Sequence, residues 1–238
     1  MVDVTARYRA ELADLAPAEL AQYLTRHSGL PGPRANLTLL EVAADLIPEP
    51  LIWSFLDEPA EYLACCGVVG LGRLIVIADD PGTLIQRLTT AATDDRWRVR
   101  EAAAIAVQRI GDTAPELLRA IVSTWVDAAD PLVVRAGIAA ICEPRLLNDP
   151  LTAAAALAAC ERATATLAAI PLSDRRQDAV RVLRKGLAYC WSVAVAASPE
   201  QGLVQFFAID TADPDLAWVV TQNLTKQRIK KLLSPYRA

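Results

Sequence analysis

Asp95-Arg96-Trp97-Arg98-Val99-Arg100 is echoed 35 residues later by Asp130-Pro131-Leu132-Val133-Val134-Arg135. In each copy an aspartate stands where a helix would open, apolar residues follow, and an arginine lies five positions on. A weaker copy starts at Asp213-Pro214 and runs into Leu216, Trp218 and Val219. Repetition at this spacing predicts an all-α fold, an α-solenoid of stacked antiparallel helix pairs. Each such pair can bury its apolar face only against its neighbours.

Working outward, prolines and small polar clusters cut the chain into helix-sized pieces. Residues 8–27 read as one or two amphipathic helices, with Pro17 starting the second. Ser28-Gly29-Leu30-Pro31-Gly32-Pro33 reads as a loop, and Asn36 as the N-cap of a helix through Ile47. The following pieces are Leu51–Leu56, Ala60–Ala78, Thr83–Thr93, Trp97–Ile110, Glu116–Ala128 and Pro131–Cys142. Further on come Leu151–Ile170, Arg176–Ala197, Pro199–Ile209 and Pro214–Leu233. Val99, Ala102, Ala103 and Ala106 share one helical face, and no segment sustains a period of two. Leu74-Ile75-Val76-Ile77 therefore reads as a buried helix end. The whole chain, 1–238, is read as one repeat domain, with residues 1–35 as capping helices and 36–238 as helix pairs.

Composition narrows the function classes. Apolar residues are 53% of the chain and aromatics only 5%, which suits closely packed helices with small side chains. The net charge of −4 excludes a uniformly basic surface. Its distribution is uneven: residues 1–90 carry 6 Arg and no Lys against 12 acids, whereas residues 175–238 carry 10 basic residues against 5 acids. An acidic N-terminal part and a basic C-terminal part are expected. Five scattered cysteines read as buried reduced thiols, and with a single histidine, His27, they offer no zinc-ligand spacing. The longest uncharged run, Gly186 to Pro199, is too short to span a bilayer. With no export signal at Met1–Leu12, a cytoplasmic protein is expected.

The pattern Asp95/Val99/Arg100 and Asp130/Val134/Arg135 resembles the HEAT repeat family. The resemblance implies that the aspartates and arginines tie neighbouring turns together. Arg184-Lys185-Gly186-Leu187-Ala188-Tyr189, with Pro199-Glu200 ten residues on, is similar to the late helix of the HEAT-like-repeat DNA glycosylases of alkylation repair. Trp97 and Arg100 fall where that family has a Trp-x-x-Arg segment. The resemblance covers roughly residues 60–210 and implies a helix bearing a tryptophan and, four residues later, a catalytic aspartate. That helix maps near Tyr62–Gly67, where Tyr62 and Cys66 occupy the two places and Glu61 lies off the face. Trp53 with Asp57, and Trp125 with Asp127, are the other aromatic–carboxylate pairs. Without an inward carboxylate the cationic transition state of base release would lack its electrostatic partner, so no catalytic residue is assigned.

Arg181, Arg184, Lys185 and Ala188 are read as one helical face, with Arg175 and Arg176 at its start and Arg96 and Arg98 on an equivalent helix. Tyr189 and Trp191 offer stacking surface, although aromatics on so apolar a helix are more often core. The partner-binding candidates are accordingly Trp97, Arg98, Arg100, Arg135, Arg181, Arg184, Lys185 and Tyr189, lining a concave groove. The partner is a protein or duplex DNA, since phosphates are engaged mainly by Arg and Lys. A glycosylase, or an inactive relative that only binds DNA, is the alternative. A purely structural subunit docking through the acidic N-terminal helices is a third reading. No metal, cofactor or membrane is expected. Lys226, Arg228, Lys230, Lys231 and Arg237 read as cations complementing a C-terminal helix dipole. Gly67-Val68-Val69-Gly70-Leu71-Gly72 reads as close helix packing, not as a nucleotide loop.

Overall fold

A computed structural model describes residues 3–234. Arg237 lies outside the described residues. Among them there are fourteen α-helices, one 3-10 turn at Leu146–Asn148 and no strand, an all-α helical-repeat fold. The chain divides into two compact units, residues 1–113 and 114–238.

The first unit comprises α1 (Val4–Ala13), α2 (Pro17–His27), α3 (Leu37–Leu46), α4 (Glu49–Leu56), α5 (Glu61–Ile77), α6 (Gly82–Ala91) and α7 (Trp97–Thr113). Its centre is α5, which packs on α2, α3, α4, α6 and α7. Thirteen of the seventeen α5 residues are buried, including Leu74 and Ile75. The run Leu74–Ile77 is helical as its context predicts, but its last two residues, Val76 and Ile77, are exposed, so the helix end is buried only in its first half. The glycines of α5 explain how its neighbours come so close. A Cβ on Gly67 would stand 2.8 Å from the Leu56 backbone nitrogen, and one on Gly72 would stand 2.9 Å from the Ala106 carbonyl oxygen. Alanine normally stabilises a helix interior by about 1 kcal/mol over glycine. Here the opposing atoms are backbone and cannot rotate away, so overpacking at about 1–3 kcal/mol decides the sign. Gly67→Ala and Gly72→Ala should each lower the urea midpoint at unchanged slope. A raised midpoint would mean that these helices do not touch.

Asp45, near the end of α3, gathers the unit's charged ties. Its carboxylate accepts from Arg9 of α1 and Arg109 of α7. Arg73 of α5 donates to the Asp45 and Ile47 carbonyls beside it.

The second unit comprises α8 (Pro115–Trp125), α9 (Pro131–Ile141), α10 (Pro150–Ala169), α11 (Asp178–Ala197), α12 (Pro199–Phe207), α13 (Pro214–Leu224) and α14 (Gln227–Leu233). Its centre is α11, which packs on α9, α10, α12, α13 and α14. Three of its helices open on Asp-Pro. Asp130, Asp149 and Asp213 each accept from backbone N–H groups of the first turn, while proline at the first helical position needs no acceptor for a missing N–H.

Several boundaries differ from the sequence reading. Helix α4 begins at Glu49, because Pro50 is tolerated within a first turn. Helix α7 starts at Trp97, and the carboxylate at its head is Asp94, not Asp95. Asp94 Oδ1 accepts the Arg96 N–H at 2.8 Å, while the Asp95 carbonyl is taken by Arg100. The piece expected to run from Pro214 to Leu233 is two helices, broken where Lys226 adopts an extended backbone.

All five cysteines are free and buried. Burial, with Glu61 nearby, pushes the Cys65 thiol up to about 12. Burial raises Cys66 and Cys160 likewise. Cys142 is raised first by its contact with Cys160, at 3.7 Å between sulfurs.

Candidate functional site

In the second unit, exposure along α11 recurs at Arg181, Lys185 and Tyr189, four residues apart, so these three form a stripe along the helix. Ala188 is buried and Arg184 half-buried, which rotates the solvent face by one residue from the expected one. The stripe continues onto α14. The Arg228 guanidinium lies 5.0 Å from the Tyr189 ring centroid and donates to its hydroxyl at 3.2 Å, and Lys226 Nζ stands 5.9 Å from the same ring. These two cations thus serve the start of α14 and the Tyr189 face, whereas Lys230 and Lys231 occupy the last turn as expected. Arg181 meets Asp178 at 3.5 Å, both well exposed. Lys185 has no ion pair among the described residues. Arg176 is exposed at the approach to α11. Arg135 on α9 is half-buried, and a Cβ on Gly186 of α11 would meet its Cγ at 3.1 Å.

Other expected contacts are spent inside the fold. Arg184 pairs with Asp215 and stacks 4.7 Å from the Trp218 ring centroid. Arg175, read as surface, is buried. Its Nη1 donates to both Asp213 oxygens at 2.7 and 2.6 Å, its Nε to the Ile170 carbonyl, and its Nη2 to the Ala168 carbonyl. Burial raises the Asp213 carboxyl, but hydrogen bonds from Arg175 and from the Leu216 and Asp215 amides outweigh it and hold Asp213 below the usual range. Trp191 is core, donating to Thr164 Oγ1 at 2.9 Å.

In the first unit, Trp97 is exposed and the Arg98 guanidinium lies 4.5 Å from its ring centroid. Arg98 donates to Glu61 Oε2 at 2.9 Å and to the Gly32 carbonyl at 3.3 Å. Arg96 grips Asp94 through Nε and Nη2 and reaches the Glu58 carbonyl. That hydrogen bond is the main reason Asp94 lies below the usual carboxylate range. Arg100 closes its own turn on the Asp94 and Asp95 carbonyls.

The aromatic–carboxylate pairs do not assemble into an acid–base site. Tyr62 is buried and donates to the Asn36 carbonyl at 2.7 Å, and Cys66 is buried. Glu61 is held by Arg98. Asp57 pairs with Arg87, and the indole of Trp53 donates to Glu49. Trp125 is core, and Asp127 pairs with Arg162. His27 ends α2, exposed and stacked on Tyr23 at 4.2 Å. Among the described residues no cluster of His, Cys, Asp and Glu is arranged to hold a metal ion, and no helix is long and apolar enough to cross a membrane.

Two features of this region carry little sequence signal. The pairing of Tyr189 with Arg228 joins residues 39 apart. Asn223 is a buried amide satisfied wholly by backbone, and it reads in the sequence as an ordinary helix residue.

No family model matches the chain, and no curated protein matches it. Two solved crystal structures of engineered proteins align over 97% of this chain. They share 13% and 14% identity with it, cover 98% and 100% of their own chains, and give TM-scores of 0.38 and 0.39.

Proposed function

We propose that this chain is a non-catalytic helical-repeat binding protein of the HEAT type, and that it holds a phosphate-rich partner, duplex DNA, on the cationic stripe of α11 and α14. The observation that carries this reading is the set Arg181, Lys185, Lys226 and Arg228 around Tyr189, opposed locally by Asp178. Cations held by the fold, such as Arg175 and Arg184, have their charge cancelled by Asp213 and Asp215 and contribute little to a distant phosphate. On the stripe, Lys185, Lys226 and Arg228 have no ion pair among the described residues, and Arg181 meets only the exposed Asp178. Phosphate contact by Arg and Lys supplies sequence-independent affinity through release of condensed counterions. Every carboxylate placed beside an aromatic by the glycosylase resemblance is ion-paired, which favours binding over base excision.

Four phosphate contacts predict a slope of roughly −3 to −4 in log affinity against log salt. Binding of a short duplex should therefore weaken about a hundredfold between 50 and 200 mM salt. Arg181→Glu with Lys185→Glu should lower affinity about tenfold or more and flatten the slope by roughly two. Fluorescence anisotropy of labelled duplex measures both. Salt-independent binding, or a double variant that binds as the parent does, would remove DNA as the partner.

A further inference from the structure

The first unit contains a cleft of about 360 Å³ that the DNA-binding reading does not use. Its floor is Tyr62 and Cys65 of α5 with Ala102 and Ile105 of α7, and its far wall is the start of α3. At the mouth stand Leu37 and Trp97, both more than half exposed. A second cleft of about 400 Å³, walled by the Ser28–Pro31 loop, adjoins it and shares Tyr62 and Arg98.

Apolar walls with a few placed polar groups are the composition of a small-molecule site, and clefts of this volume suit a ligand of one or two rings. Large apolar side chains exposed on both lips of a recess mark such a site better than scattered surface residues do. The polar groups favour one charge. Arg98 spends its terminal nitrogens on Glu61 and Gly32, yet its Nε is buried and has no acceptor. Arg34 lines the same cleft, is exposed, and has no ion pair among the described residues. Glu101 lines the cleft as well.

We propose that this cleft binds a small flat organic anion, an aromatic ring system carrying one acidic group, with the ring between Trp97 and Leu37 and the acid at Arg34, beside the Arg98 guanidinium. The site lies wholly within the first unit and stands or falls independently of DNA binding.

The probe is 8-anilinonaphthalene-1-sulfonate, titrated against the full chain and read by its emission and by energy transfer from tryptophan. One site per chain is expected. Leu37→Glu, at an exposed position that leaves the core untouched, should weaken binding about tenfold or more. Trp97→Ala should weaken it and remove most of the energy transfer, and Arg34→Ala should weaken it about threefold. The uncharged analogue N-phenyl-1-naphthylamine should bind more weakly than the sulfonate. Unchanged melting temperatures in the variants establish that they fold. Absent binding, or binding indifferent to Leu37→Glu and Trp97→Ala, would overturn the site. Equal affinity for the uncharged analogue would overturn its preference for anions.

Discussion

Replacing Arg175 by alanine is expected to destabilise the chain by about 3–5 kcal/mol, because one member of a buried ion pair is removed and the other remains. The guanidinium is 7% exposed and is shared among Asp213, Asp215 and two backbone carbonyls. Its loss strands the Asp213 carboxylate that opens α13 and unties the turn following α10. The effect has a pH signature. Asp213 titrates below its ordinary value in the folded chain, so its contribution is present above the unfolded carboxylate pKa near 4 and is lost as pH falls through the lower folded value. Asp94 is lowered too, so the parent should lose stability as pH falls below about 4. In Arg175→Ala part of the Asp213 contribution is already gone. The gap between variant and parent should therefore be widest near neutrality and narrow in acid. Urea midpoints between pH 7 and 2.5 measure this; a gap independent of pH would contradict the ion-pair account.

Asn223→Leu should cost about 2–4 kcal/mol even though leucine fills a similar volume, since three buried hydrogen bonds between the amide and the backbone of α11 and α13 would be lost. The Asn223 side chain accepts the Ser192 N–H at 2.8 Å and donates to the Leu187 and Val219 carbonyls at 3.0 and 2.8 Å, with no exposure to solvent. It thereby fixes α13 against the backbone of α11, the helix that carries the cationic stripe. Asn223→Ala should cost more, by the added cavity. If leucine restores stability where alanine does not, packing alone accounts for the residue. Thermal and urea unfolding of the pair decide the matter.

The fold was legible because its signals are local. Asp130-Pro131 and Asp213-Pro214 announce helix starts through capping chemistry confined to one turn, and the glycines of α5 announce close packing by their lack of a side chain. The site was legible only in part, since charge partners are chosen by the tertiary fold. Arg98 meets Glu61 from 37 residues away, and Arg184 meets Asp215 from 31. No spacing rule says which arginine will be neutralised and which left to solvent. For the same reason the solvent face of α11 lies one residue from the face its basic residues suggest. A helical wheel ranks positions around an axis, but only the helices packed against it decide which arc is covered. At the head of α7 it is Asp94, not Asp95, whose carboxylate is held, because Arg96 donates to it from both its backbone N–H and its guanidinium.

The enclosure of every sulfhydryl bears on how this protein can be studied. Thiolate is the nucleophile toward alkylating reagents; burial disfavours its formation, and it encloses Cys66, Cys142, Cys160 and Cys190, while Cys65 on the cleft floor is held back by its raised pKa. A cysteine introduced at Leu37 or Lys185 would then be the site a maleimide dye finds first in the native chain, with the endogenous five left in place. Each of the two surfaces could be reported on separately, and uptake of dye by the wild-type chain would itself serve as a clock for opening of its core.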